Sequence, residues 1–239
     1  MSLFVLVHGG WGGGWQWRAV ANRLRGLGHE VYAPTLSGMG DRSGAAEDPA
    51  TLDLSRHIDD VVQLFEFEDC RDAVLVGWSY GGLVVEGVAD RVPDRLRLVV
   101  ELDAEPPDEG RPMLDSGSPE TVEAINAMAA QSPEPGWVRP PTAEELAGML
   151  ADPDLRRWVA DRERPMAYSA FVEPYPDTGA ARHAVAHAYI RCTIDDEPEP
   201  PRITALRTND QWQFVELPLN HLGLLYDPDQ VAKALHTLS

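Results

Sequence analysis

Ala73-Val74-Leu75-Val76-Gly77-Trp78-Ser79-Tyr80-Gly81-Gly82 decides the fold. Its first four residues are apolar and partly β-branched, and they extend a run from Asp72 that reads as a buried strand. Leu83–Ala89, directly after it, carries an apolar helical pattern. Between them lies G-x-S-x-G. A serine on so short a strand-to-helix turn must adopt positive φ, and small neighbours let the strand and helix approach without collision. The same letters in a loop would be an ordinary glycine turn. Between a strand and a helix they present a serine hydroxyl at the sheet edge, the placement a nucleophile requires.

Working outward, the same alternation recurs. Leu3–Val7 reads as a strand, Trp15–Leu27 as a helix closed by Gly28, Glu30–Ala33 as a strand and Leu54–Phe67 as a helix. Leu96–Leu102 follows as the fourth strand. Strand and helix in this rhythm imply a mostly parallel sheet covered on both faces. The rhythm breaks after Leu102. Short helical patterns at Thr121–Gln131, Thr142–Ala151 and Asp154–Arg162 are punctuated by prolines, and no convincing strand appears before about Arg182. Some 80 residues are too many for a bare connection. We therefore expect a helical cap at 105–182 inserted into an α/β core made of 1–104 and 183–239. Strands resume at His187–Thr193 and Gln213–Leu217, and Gln230–Leu238 is the final helix.

Composition narrows the partners. The 239 residues carry 20 Lys+Arg against 39 Asp+Glu, a formal charge of −19. That excess argues against nucleic acid or an anionic membrane surface, which need phosphate-neutralising cations. Two cysteines, Cys70 and Cys192, supply neither a disulfide framework nor metal-ligand spacing. The apolar N-terminal run is too short for a signal sequence and no later run approaches a membrane span, so a cytoplasmic protein is expected. A homodimer is compatible with the sequence.

An activated serine needs a base, an orienting acid and donors for the developing oxyanion. His8-Gly9-Gly10-Trp11 leaves the first strand at the edge where Ser79 lies, so backbone N–H groups of Gly10 and Tyr80 can converge on an oxyanion, with His8 a structural residue. Of the seven histidines, His29, His57 and His236 fall on or beside helices away from the strand ends, where solvated or capping roles suffice. His221 lies in the loop after the last strand and reaches the right edge. Asp195 and Asp196 end the preceding strand and are the leading acids, Asp195 first. Asp103, which ends the strand after the nucleophile helix, could also reach a histidine.

Val5 through Trp17, Gly77–Gly82, Leu102-Asp103-Ala104…Pro107…Gly110 and Asn220-His221…Asp227-Pro228 together resemble the α/β-hydrolase branch that holds plant methylesterases, hydroxynitrile lyases and bacterial esterases. The resemblance implies an α/β-hydrolase fold, Ser79 as nucleophile, His221 as base, Gly10 and Tyr80 as oxyanion donors, an aspartate after the penultimate strand as acid, and no cofactor. Three departures bear on function. Hydroxynitrile lyases of this branch place threonine after the His8 equivalent and lysine after the catalytic histidine, where this chain has Gly9 and Leu222. The usual aspartate is followed four residues later by proline, which favours Asp196 with Pro200, whereas Asp195 has Glu199. Glu105 stands where relatives carry an apolar side chain, and Trp78 where histidine is common.

These readings lead to a serine esterase acting on a small neutral or cationic carboxylic ester, with Trp11, Trp78 and Glu105 as candidate substrate contacts. Met128, Trp137, Met149, Trp158 and Phe171 of the cap are candidates for its walls. The same site could instead serve a cofactor-free lyase, cyclase or thioesterase, or a binding protein without turnover.

Overall fold

The structure, a computed structural model, describes residues 1–44, 48–104, 106–176, 181–194 and 199–239. In chain order the core opens with β1 (Leu3–Val7), a 3-10 turn and α1 (Arg18–Gly26), then β2 (Glu30–Tyr32), α2 (Leu54–Phe67), β3 (Ala73–Trp78), α3 (Gly81–Arg91) and β4 (Leu96–Leu102). The segment that follows holds α4 (Met113–Ser116), α5 (Pro119–Ala130), β5 (Trp137–Val138), α6 (Pro153–Ala160), β6 (Met166–Ala167) and α7 (Ser169–Val172). The chain returns through β7 (Ala186–Cys192), α8 (Pro201–Arg207), β8 (Trp212–Leu217), α9 (Gly223–Tyr226) and α10 (Pro228–Leu238).

Six strands form one parallel sheet in the order β2-β1-β3-β4-β7-β8. Alternation along the strands divides the core in two. Phe4, Leu6, Val74, Val76, Val100 and Ile190 face α1 and α10 with Trp17, Leu24, Val231 and Leu235. Val5, Val7, Leu75 and Val99 face α2 and α3 with Ile58, Val61, Phe65, Val84 and Val88. Both faces are covered, which is why the strands read as nearly continuous apolar runs.

Two features differ from the sequence reading. Trp137–Val138 and Met166–Ala167 pair antiparallel, so the segment between β4 and β7 contains a small two-stranded ladder where no strand is expected. A run of two residues is too short to show a period. Thr142–Ala151, expected as a helical pattern, is only a 3-10 turn at Glu145–Gly148.

One buried arginine fastens this segment to the core. Arg182, near its return, contacts Asp90 (2.8 Å) and Glu86 (3.3 Å) of α3, and Glu109 (2.7 Å) near its exit. Tyr175 also donates to Asp90, at 3.0 Å. Both ends of the excursion are thereby tied to the helix that follows Ser79. Among the described residues, no helix is long and apolar enough to cross a membrane.

Candidate active site

β3 ends at Trp78 and α3 begins at Gly81, so Ser79 and Tyr80 make the turn alone. Ser79 has φ 54°, a left-handed conformation costing a non-glycine residue about 1–3 kcal/mol. Its surroundings enforce that strain. The Ser79 N–H donates to the Leu102 carbonyl (3.2 Å), and the Ser79 carbonyl accepts from Gly82 (2.9 Å). A Cβ at Gly77 would lie 2.3 Å from the Gly81 oxygen, and one at Gly81 would lie 2.7 Å from the carbonyl oxygens of Val7 and His8. Both glycines are demanded by close approach of backbone to backbone.

Strand register delivers the partners to the same edge. Val7 pairs with Gly77, Trp78 with Leu102, Leu102 with Ile190 and Cys192 with Leu217. The residues that follow these strands therefore meet at one level. Asp103, with φ 46°, donates its N–H to Ile190 (2.8 Å) and accepts the Cys192 N–H on Oδ1 (3.0 Å). Its second oxygen, Oδ2, lies 2.7 Å from Nδ1 of His221. His221 is placed by the loop after β8. The indole N–H of Trp78 donates to its carbonyl (3.0 Å), and the two rings meet at a tilt of 36° with centroids 5.4 Å apart. Asn220 braces the loop by donating to Met149 (2.7 Å) and accepting from Leu222 (3.0 Å).

The carboxylate beside His221 is therefore not one of the two expected there. The Nδ1 position assigned to Asp195, with Asp196 as alternative, is held by Asp103, while Asp195 and Asp196 lie outside the described residues. The reason is topological. β4 sits directly beside β3, so the residue after β4 is one strand from Ser79, whereas the residues after β7 are two strands away.

Residues 4–234 match the Alpha/beta hydrolase family. The chain belongs to that family. The carbendazim hydrolyzing esterase of Nocardioides sp. (strain SG-4G) is 36% identical over 247 aligned residues that span the whole of both chains. Methylesterase 2 of Arabidopsis thaliana is 34% identical over 137 residues, covering 56% of this chain and 48% of that one. Among solved structures, an extracellular α/β-hydrolase from a Paenibacillus species superposes with a TM-score of 0.85 at 23% identity, over 99% of this chain and 98% of the other. The protein is a hydrolase of the esterase type.

In this α/β-hydrolase, Ser79, Asp103 and His221 line one cavity of about 600 Å³, within the range of small-molecule sites. One wall is apolar, with Leu54, Leu83, Leu114, Val122 and Ile125. Tyr189, Arg191, Cys192 and Ile203 line the side toward β7 and α8. Its arginines are already compensated: Arg191 is paired with Glu199, and Arg111 contacts Asp108 at 3.3 Å. Sequence reasoning missed Arg191 and Tyr189 as wall residues. Their alternate positions on β7, Tyr189 and Arg191 two residues apart and so on one face of the strand, were the available signal.

The proposed substrate contacts fare differently. Trp78 packs beneath His221, and Trp11 donates its indole N–H to Val138 (3.2 Å) while its carbonyl accepts from Arg164 (2.9 Å). Neither is among the described residues that line the cavity, because each indole spends its N–H on a structural carbonyl. Glu105 lies outside the described residues. Of the five expected cap residues only Met149 lines the cavity. Trp158 packs on Trp15, and Phe171 is buried against Trp11 and Tyr80. Gly10 leaves β1 in the turn beside the elbow, where a Cβ at Gly9 would lie 3.3 Å from that of Ser79.

Two histidines depart from the expected surface roles. His57 is buried and bonded to Tyr80. His29 is also buried and shares a 2.8 Å bond with His236.

Proposed function

We propose that this α/β-hydrolase cleaves small, neutral carboxylic esters through an acyl-enzyme on Ser79. The observation that carries the reading is the 2.7 Å contact from His221 Nδ1 to Asp103, made on the cavity wall that also bears a left-handed serine. Asp103 holds the proton on Nδ1 and leaves Nε2 to take the hydroxyl proton of Ser79 as the oxygen attacks the acyl carbon. The N–H groups of Gly10 and Tyr80 receive the oxyanion. Tyr80 heads α3, whose leading N–H groups have no acceptor within the helix. The imidazolium then protonates the departing alcohol, and the neutral ring activates water for deacylation. The segment 105–182 serves as the cap, its apolar α4–α5 wall taking the acyl or alcohol group.

Neutral substrates are favoured because both cavity arginines carry their own carboxylates and so offer no free cation to an anionic ester. The full-length relationship makes carbendazim a natural first substrate to assay, beside p-nitrophenyl esters of rising chain length. Turnover of carbendazim or of a short neutral ester by the wild-type protein, lost in Ser79→Ala, supports the proposal. An inactive wild-type protein across that panel opposes it.

A further inference from the structure

Two buried histidines outside the triad meet at one short stretch of chain. His8, after β1, places Nε2 3.0 Å from the Leu36 N–H and Nδ1 2.8 Å from the Gly9 carbonyl. A backbone N–H can only donate and a carbonyl only accept, so His8 carries its proton on Nδ1. His57, on α2, lies 3.0 Å through Nε2 from the Ser37 carbonyl and 2.7 Å through Nδ1 from the Tyr80 hydroxyl. Its proton must sit on Nε2, leaving Nδ1 to accept from Tyr80. Both rings are neutral, because burial drives each down to about 4. Ser37 is itself fixed: its N–H and hydroxyl donate to Asp60 at 2.6 and 2.9 Å, and Asp60 lies one turn beyond His57 on α2.

The consecutive residues Leu36 and Ser37 thus tie the Gly9–Gly10 turn, through His8, to the elbow, through His57 and Tyr80. We infer that His57 is a positioning residue that, by gripping the Tyr80 hydroxyl, sets the separation of the Tyr80 and Gly10 N–H donors. This rests on the reading that those two donors hold the oxyanion. Tyr80 is 2% exposed and its ring is wedged between His57 and Phe171, so its phenol is a strut anchored at both ends. Oxyanion donors act through preorganisation, and a displacement of about 1 Å can cost on the order of 100-fold in rate.

Tyr80→Phe removes only the strut's last atom, and His57→Gln keeps a donor for Ser37. Both variants, their double, and Ser79→Ala are compared with the wild-type protein. The readouts are kcat and KM on p-nitrophenyl acetate, inhibition by a trifluoromethyl ketone that adds to serine as a tetrahedral oxyanion, and thermal midpoint. The expected result for Tyr80→Phe is a loss of roughly 10-fold or more in kcat, with KM within about twofold. Ketone affinity falls in parallel, and adding His57→Gln brings no further loss. Unchanged kcat and ketone affinity in Tyr80→Phe overturn the inference, as do losses that multiply in the double variant. Should His57→Gln not fold, Tyr80→Phe alone decides. Ser79→Ala separates the failures: if it keeps activity the covalent reading falls, whereas an inactive Ser79→Ala beside an unimpaired Tyr80→Phe overturns the strut alone.

Discussion

Asp103 is committed on both oxygens, and that makes its amide informative. In Asp103→Asn the single carbonyl oxygen must serve the Cys192 N–H, which presents the NH₂ to Nδ1 of His221. The ring then carries its proton on Nε2 and cannot accept the one from Ser79. We expect kcat to fall about 10²- to 10⁴-fold in steady-state assays, and Asp195→Asn to stay close to wild type. The reverse pattern would return the acid's role to the loop after β7. The placement of Ser79, Tyr80, Gly10 and His221 at the ends of their strands was legible because glycine spacing and strand ends are local signals. Asp103 against Asp195 was a question of which strands are neighbours, and no residue type answers that. His57 was illegible for a related reason: its partner Tyr80 is 23 positions away in sequence.

At the scale of elements, long periodic segments were legible and short ones were not. Leu54–Phe67 and Leu96–Leu102 coincide with α2 and β4, whose apolar patterns run for several residues. The β5–β6 ladder has two residues a strand, and its paired residues are 30 and 28 positions apart in sequence, a pairing no local pattern encodes. The same region hides a titrating group. Glu163, just after α6, is buried with one carboxylate oxygen unpartnered among the described residues, and burial pushes it up to about 8. Between its ordinary value of 4.5 and about 8 the unfolded chain has lost this proton while the folded chain keeps it. Stability therefore falls as pH rises through that window. Glu163→Gln should raise the thermal midpoint at pH 8 and leave it unchanged at pH 5. An equal shift at both pH values would contradict this assignment.

For the molecule as a whole, the charge of −19 bears on substrate choice more than on fold. Glu101–Glu120 carries seven acids against one arginine and leaves the same strand edge as Ser79. At low salt kcat/KM should favour p-nitrophenyl butyrate over the anionic p-nitrophenyl succinate. The gap should narrow near 1 M salt, where the screening length drops to about 3 Å. Equal or better use of the succinate ester would contradict it. The central claim, a covalent route through Ser79, is tested most directly by intact mass after exposure to a fluorophosphonate, with peptide mapping. The account predicts one adduct per chain, on Ser79, absent in Ser79→Ala, which also loses ester turnover. An active wild-type enzyme that takes no adduct, or takes it on another residue while Ser79→Ala still turns over ester, would contradict it.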